Sequence, residues 1–179
     1  MVKAPTALPN SIFASPSRKA LSSRIFSSLK INETIYRSEP VKGYLMLDRK
    51  WKAGDTVSIR LAMPVTVNMA NPAVRENLYQ VAVSRGPLIY CIEEADNGKD
   101  LHLLSLGDEP NFKLEHKSNL LGGATLISAD ALVYKADWQG KGLYAGAEKP
   151  EYAKTRIKLI PYYTWANRGA GEMKVWIYR

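Results

Sequence analysis

The sequence is poor in the residues that build disulfides and metal sites: one cysteine, Cys91, and two histidines, His102 and His116, in 179 residues. A lone cysteine excludes an internal disulfide framework, and with so few histidines a Cys/His zinc site lacks ligands. No apolar run approaches the about twenty residues needed to cross a bilayer, so no membrane-spanning helix is expected. No stretch of ten residues carries a helical apolar stripe. A phosphate-cradling loop is also missing, because "LGGAT" has neither the lysine nor the strand-to-helix setting. Acids are absent from the first 32 residues, which hold Lys3, Arg18, Lys19, Arg24 and Lys30. The net charge of +8 therefore belongs largely to that end. Beyond it 20 bases face 17 acids, about +3, with no basic stripe, which argues against nucleic acid as a partner.

What is present is β-patterned. Residues 1–28 are rich in Ser, Pro and Ala without a sustained period. Their composition resembles an organellar transit peptide, and the plainer expectation is a disordered or spurious leader. From residue 29 onward short apolar alternations recur between turn residues. "TVSIRLAM" sets Val57, Ile59, Leu61 and Met63 on one face, and the "KAGD" turn predicts a hairpin with "GYLMLDRKW". "VTVNM" continues the alternation after Pro64, and residues 71–78 read as a connector with one helical turn. "YQVAVS", "LIYCIEE", "HLLSL", "FKLEH", "ATLISA", "ALVYKAD", "TRIKLI" and "MKVWIY" follow as strands. This rhythm predicts an all-β chain of sandwich type. Residues 137–152 form the longest irregular stretch, the natural place for a surface loop with a role.

Catalytic chemistry is not visible. Glu93, Glu94 and Asp96 are the tightest carboxylate cluster, yet neighbours on a strand point to opposite faces. Glu93 and Glu94 are therefore not expected to line one side of a pocket, and solvated or turn-capping acids are the ordinary reading. Cys91 alternates with Tyr90 and Ile92 and reads as a small buried hydrophobe rather than a nucleophile, since no base is near in sequence. His102, within "LHLL", is expected to face outward.

The segment "LIPYYTWANRGAGEMKVW" gathers Tyr162, Tyr163, Trp165 and Trp176 around an Asn-Arg-Gly turn. Rings serve equally as core or as a platform for sugar, and the favoured reading is structural, in the domain's core or at its contact with a neighbour. Arg168 is suited to forking onto a carboxylate or stacking on Trp165. In "MKVWIY", Met173, Val175 and Ile177 share one face and Trp176 and Tyr178 the other, which predicts one strand buried between layers or covered by a neighbouring domain.

Three segments, "GYLMLDRKWKAGDTVSIRLAMPV", "VAVSRGPLIYCIEEADN" and "LIPYYTWANRGAGEMKVW", lie in order and resemble the C-terminal half of glycoside hydrolase family 127, the β-L-arabinofuranosidases. "SLKINETIY" is similar to a degraded form of the strand that precedes the first of them. The resemblance runs from about Leu29 to Tyr178. It implies jelly-roll-like β-sandwiches: a partial middle sandwich over 29–72 and a complete C-terminal one over 73–179. It further implies a parent enzyme with an (α/α)6 catalytic barrel and retaining hydrolysis of terminal L-arabinofuranosyl linkages. Its cysteine nucleophile would sit on zinc held by further cysteines and a glutamate, with a second glutamate as acid/base. All of those residues belong to the barrel, which nothing here matches, so no catalytic residue, metal ligand or cofactor is expected in this chain. A truncated or frame-shifted gene product, inactive by itself, is the implied origin. The implied partners are the missing barrel, an arabinose-containing glycan and a second copy through the C-terminal sandwich. Tyr163, Trp165, Asn167 and Arg168 are the candidate substrate-binding residues. A free-standing carbohydrate-binding module is the competing reading, with Trp138 and Tyr144 as further stacking candidates.

Overall fold

Alternating apolar residues bounded by Gly, Asn and Pro turns give strands almost throughout, as the all-β reading expects. The computed structural model describes residues 2–3, 26–37, 44–120, 122–135 and 138–179. Most of the leader expected over 1–28 lies outside the described residues. The chain divides into two compact units, Met1–Pro64 and Val65–Arg179, whereas the sequence reading set its boundary after residue 72.

In the first unit four strands form an antiparallel sheet in the order β1 (Val2–Lys3), β4 (Thr56–Leu61), β2 (Phe26–Ile31), β3 (Thr34–Tyr36). Asn32 and Glu33 both take left-handed backbone angles, φ 49° and 66°, as a two-residue hairpin turn between right-twisted strands requires. Leu29, Ile31 and Leu47 are buried together, with Tyr36, Trp51 and Val57 packed against them. The "KAGD" turn forms, closed by Asp55 N–H to the Lys52 carbonyl at 3.1 Å. The hairpin expected across it does not: β4 pairs with β2 and β1, and residues 45–50 carry no strand. Leu45 and Leu47 still alternate inward while Met46 stays exposed. The period reported which side chains are buried, not which strand they pair with.

The second unit begins with β5 (Val65–Met69), which pairs with β6 (Gln80–Arg85) after a 3-10 turn at Arg75–Asn77. Gly86 (φ 56°) and Pro87 make the tight turn into β7 (Leu88–Glu93). A short helix α1 (Glu94–Asn97), β8 (Leu104–Leu106), β9 (Lys113–Lys117), β10 (Ala124–Lys135), β11 (Glu151–Pro161), β12 (Met173–Lys174) and β13 (Trp176–Tyr178) complete it. The pairing path runs β7, β11, β10, β8, β13, β6 and returns to β7. Those six strands make a closed, barrel-like ring. Closure removes edges that an open sheet would expose. One buried cluster draws on all six strands, including Val83, Ile92, Leu106, Ile127, Leu159 and Ile177. It fills the ring, as in other small barrels.

A second cluster, Cys91, Ala124, Leu126 and Ile160 with Met173 and Val175 against it, lies on the opposite faces of β7, β10 and β11. Cys91 is buried as expected, while Ile89, two residues earlier, is exposed. Two strands read from sequence are in fact one: "ATLISA" and "ALVYKAD" run on as β10, because Asp130 faces out to Arg156 of β11 at 2.9 Å and breaks nothing. The opposite error occurs in "MKVWIY". This segment splits at Val175: β12 bonds to β7 and β13 to β6 and β8. It follows one arm of the β6–β7 hairpin in and the other arm out, wedging the two apart.

Candidate functional site

At the end of β7 the strand stops at Glu93 and the chain turns into α1, closed by Gly98 (φ 80°), whose N–H meets the Glu94 carbonyl at 2.8 Å. Asn97 pins this turn. Its amide donates to the carbonyls of Glu93 and Lys158 at 2.9 and 3.0 Å and accepts from Lys158 N–H at 2.8 Å. The alternation rule therefore ends where it was applied. Glu94 is already helical, and both Glu93 and Glu94 line one cleft, contrary to the sequence expectation.

The other wall is the segment that follows β11. Pro161 leads into a 3-10 turn, Tyr162–Thr164, whose buried Thr164 hydroxyl donates to the Pro161 carbonyl at 2.6 Å. Ala166 is left-handed (φ 61°) and donates its N–H to Glu93 Oε1 at 2.8 Å. Arg168 then forks between two carboxylates, Glu93 Oε2 and Asp96 Oδ2, the latter at 2.6 Å. Glu93 is only 7 % exposed, and these partners offset the cost of withdrawing its carboxylate from water. The flanking carboxylates hold the guanidinium more firmly protonated than usual, Asp96 contributing most.

Glu94 and Glu172 tie the walls together. Glu94 N–H donates to the Glu172 carbonyl and Glu172 N–H to Glu94 Oε2, each at 3.0 Å. The Glu172 carboxylate accepts the Leu101 and Asp100 N–H groups at 2.9 and 3.3 Å. The Leu101 bond, foremost, holds that carboxyl below its ordinary value of 4.5. Between the walls lies a cleft of about 480 Å³ that also reaches Trp165 and the Gly169–Gly171 backbone.

Of the four residues expected to bind substrate, Trp165 and Arg168 line this cleft and Tyr163 and Asn167 do not. Asn167 spends its amide on the Thr164 and Trp165 carbonyls. The rings are not core. Trp165 is 41 % and Tyr163 64 % exposed, and Trp165 stacks on Tyr162 at 6.3 Å with 22° between planes. The 3-10 turn carries them off the end of β11. Trp138 and Tyr144 are exposed elsewhere, on the loop after β10; the Trp138 indole donates to the Gly142 carbonyl at 2.7 Å. His102 faces outward as expected, on a 3-10 turn rather than a strand.

A match covers residues 65–178, to the family described as Glycoside hydrolase family 127 C-terminal domain. The chain belongs to glycoside hydrolase family 127. A family relative, the non-reducing end β-L-arabinofuranosidase of Bifidobacterium longum subsp. longum, is 40 % identical over 129 residues, covering 69 % of this chain and 20 % of the relative. The crystal structure of a GH127 β-L-arabinofuranosidase from Geobacillus stearothermophilus T6 matches with TM-score 0.73 and 37 % identity, over 84 % of this chain and 24 % of that one. A second solved GH127 β-arabinofuranosidase gives TM-score 0.73 and 34 % identity, over 94 % of this chain and 24 % of the other. The chain thus spans about a fifth to a quarter of these relatives' length.

The zinc-bound cysteine chemistry that the family resemblance implies does not fit the residues described. Cys91 is fully buried among apolar side chains, and burial pushes its thiol up to about 12. A protonated, sealed thiol neither ligates a metal nor attacks a substrate. Among the described residues no three of His, Cys, Asp and Glu are grouped to hold a metal ion. The sequence reading missed Glu172 altogether and set Glu93 and Glu94 aside. The Gly98 that ends the short helix was the one local sign that β7 stops at Glu93.

Proposed function

We propose that this chain is the accessory, non-catalytic β region of a family 127 β-L-arabinofuranosidase, whose parent reaction is retaining hydrolysis of terminal L-arabinofuranosyl linkages. The observation that carries this reading is the match of residues 65–178 to the family's C-terminal domain, in a chain spanning only 20 % of its curated relative. The sealed Cys91 supports it, because the cysteine-dependent chemistry of the parent then has to come from the catalytic barrel. In the finer architecture we assign, the first unit is part of a middle β-sandwich and the second the C-terminal, jelly-roll-like sandwich. The barrel is the principal partner, the parent's zinc belongs to it, and a second copy of the C-terminal sandwich is the candidate dimer contact. The test is to incubate the purified chain with 4-nitrophenyl β-L-arabinofuranoside, with zinc and a thiol reductant. Release no faster than the buffer blank is expected, and turnover that survives repurification would overturn the reading.

A second reading, a carbohydrate-binding module, is favoured by one observation: Trp165 stands exposed in a stacked pair at the mouth of a cleft lined by carboxylates. The two readings are compatible, since an accessory domain can hold glycan while another performs the chemistry.

A further inference from the structure

We propose that the cleft between Glu94 and Trp165 is a subsite for a neutral, hydroxyl-rich sugar ring, an inference that rests on the carbohydrate-binding reading above. The volume, about 480 Å³, suits a small ligand of one or two rings. Charge decides the ligand's sign. The lining carries Glu93, Glu94 and Glu172 against Arg168 alone, and Arg168 is already shared by Glu93 and Asp96. An anion such as a uronate or a phosphate meets uncompensated negative charge there, although the chain as a whole is basic.

A neutral sugar meets two complementary surfaces. Trp165, stacked on Tyr162, offers a flat apolar face to the C–H side of a ring. Sugar hydroxyls donate well to carboxylates, and among the described residues Glu94 engages its Oε2, with the Glu172 N–H. The walls are set before any ligand arrives. Gly171 runs so close to Glu94 that an added Cβ would stand 3.2 Å from both its Cβ and its Oε2. Glu94 is thereby confined on one side, which lowers the ordering cost of binding. A quaternary or primary ammonium would also suit rings and carboxylates, but two rings at 22° form one face and not an enclosing cage.

Calorimetric titration of the intact chain tests this, with methyl β-L-arabinofuranoside as the neutral probe, galacturonate as the anion and tetramethylammonium as the cation. Saturable heat is expected with the neutral probe at millimolar concentrations, and weaker binding of the anion. Trp165→Ala should weaken the neutral probe by about tenfold or more. Glu94→Gln, which leaves the ring stack in place, should weaken it too and keeps the test valid if Trp165→Ala does not fold. Preference for the cation overturns the proposal. So does neutral-probe binding that survives both substitutions, although the carbohydrate-binding reading would then stand at some other surface. No saturable binding by any probe removes both, and leaves the accessory-domain reading to its own assay.

Discussion

Arg168 is the residue on which the end of the second unit depends most. Its guanidinium is largely withdrawn from water, its Nη2 donates to both Glu93 and Asp96, and its Nε has no hydrogen-bond partner among the described residues. Replacing only the cation leaves the nearly buried Glu93 without its ion partner, which costs more than the intact pair contributes. Arg168→Leu should lower unfolding stability by about 2–3 kcal/mol, toward the low end for a buried pair because the guanidinium keeps some exposure. Denaturant melts of Arg168→Leu, Glu93→Leu and the double variant check this. The double variant should lose less than the sum of the two single variants, though not nothing, because Asp96 and the Ala166 N–H lose a partner too; strictly additive losses would show that the pair is not coupled. Arg168 pairing with a carboxylate was legible in the sequence as one of two options. Which carboxylate was not, because Glu93 and Asp96 lie more than seventy positions earlier in the chain.

At the scale of elements, the fork between β6 and β7 is held by the returning segment that carries Glu172, β12 and β13. Glu172 bonds backbone N–H groups of the turn before β8, and its own N–H and carbonyl bond Glu94. Its folded pKa lies below the ordinary 4.5. A depressed carboxylate pKa stabilises the fold above the unfolded value, and that contribution is lost as pH falls through the folded value. Glu172→Gln should therefore melt earlier than the parent at pH 7, with the gap closing as pH drops below about 4.5. Thermal melts over pH 3–7 read this directly; a gap that stayed constant or widened on acidification would contradict it.

Short apolar runs between turn residues made β6, β7, β9 and β11 readable as strands, although β6 and β7 are buried on both faces and β9, paired to β10 outside the ring, is mostly exposed. What alternation could not report is the partner. In "GYLMLDRKW", Leu45 and Leu47 turn inward although residues 45–50 carry no strand, and "MKVWIY" changes partner at Val175 in mid-pattern. The exposed rings of Tyr162, Tyr163 and Trp165 were misjudged for a related reason. Composition says that rings prefer burial, but the 3-10 turn after Pro161 decides that these leave the sheet.

At the scale of the whole molecule, the two units differ in how much they bury. The ring of the second unit encloses one cluster fed by six strands, whereas the first unit's sheet rests on Leu29, Ile31 and Leu47 and leaves Ile35, Ile59 and Leu61 substantially exposed. A second unit closed around its own buried cluster is consistent with the accessory-region reading proposed above. The most direct test is the size of the native polypeptide that carries residues 79–179. An antibody raised to that stretch, used on extracts of the source cells with peptide sequencing of the band, should report a species several times larger than 20 kDa that also yields peptides of a catalytic barrel. A sole band at 20 kDa would contradict the account and make the β-module a free-standing protein.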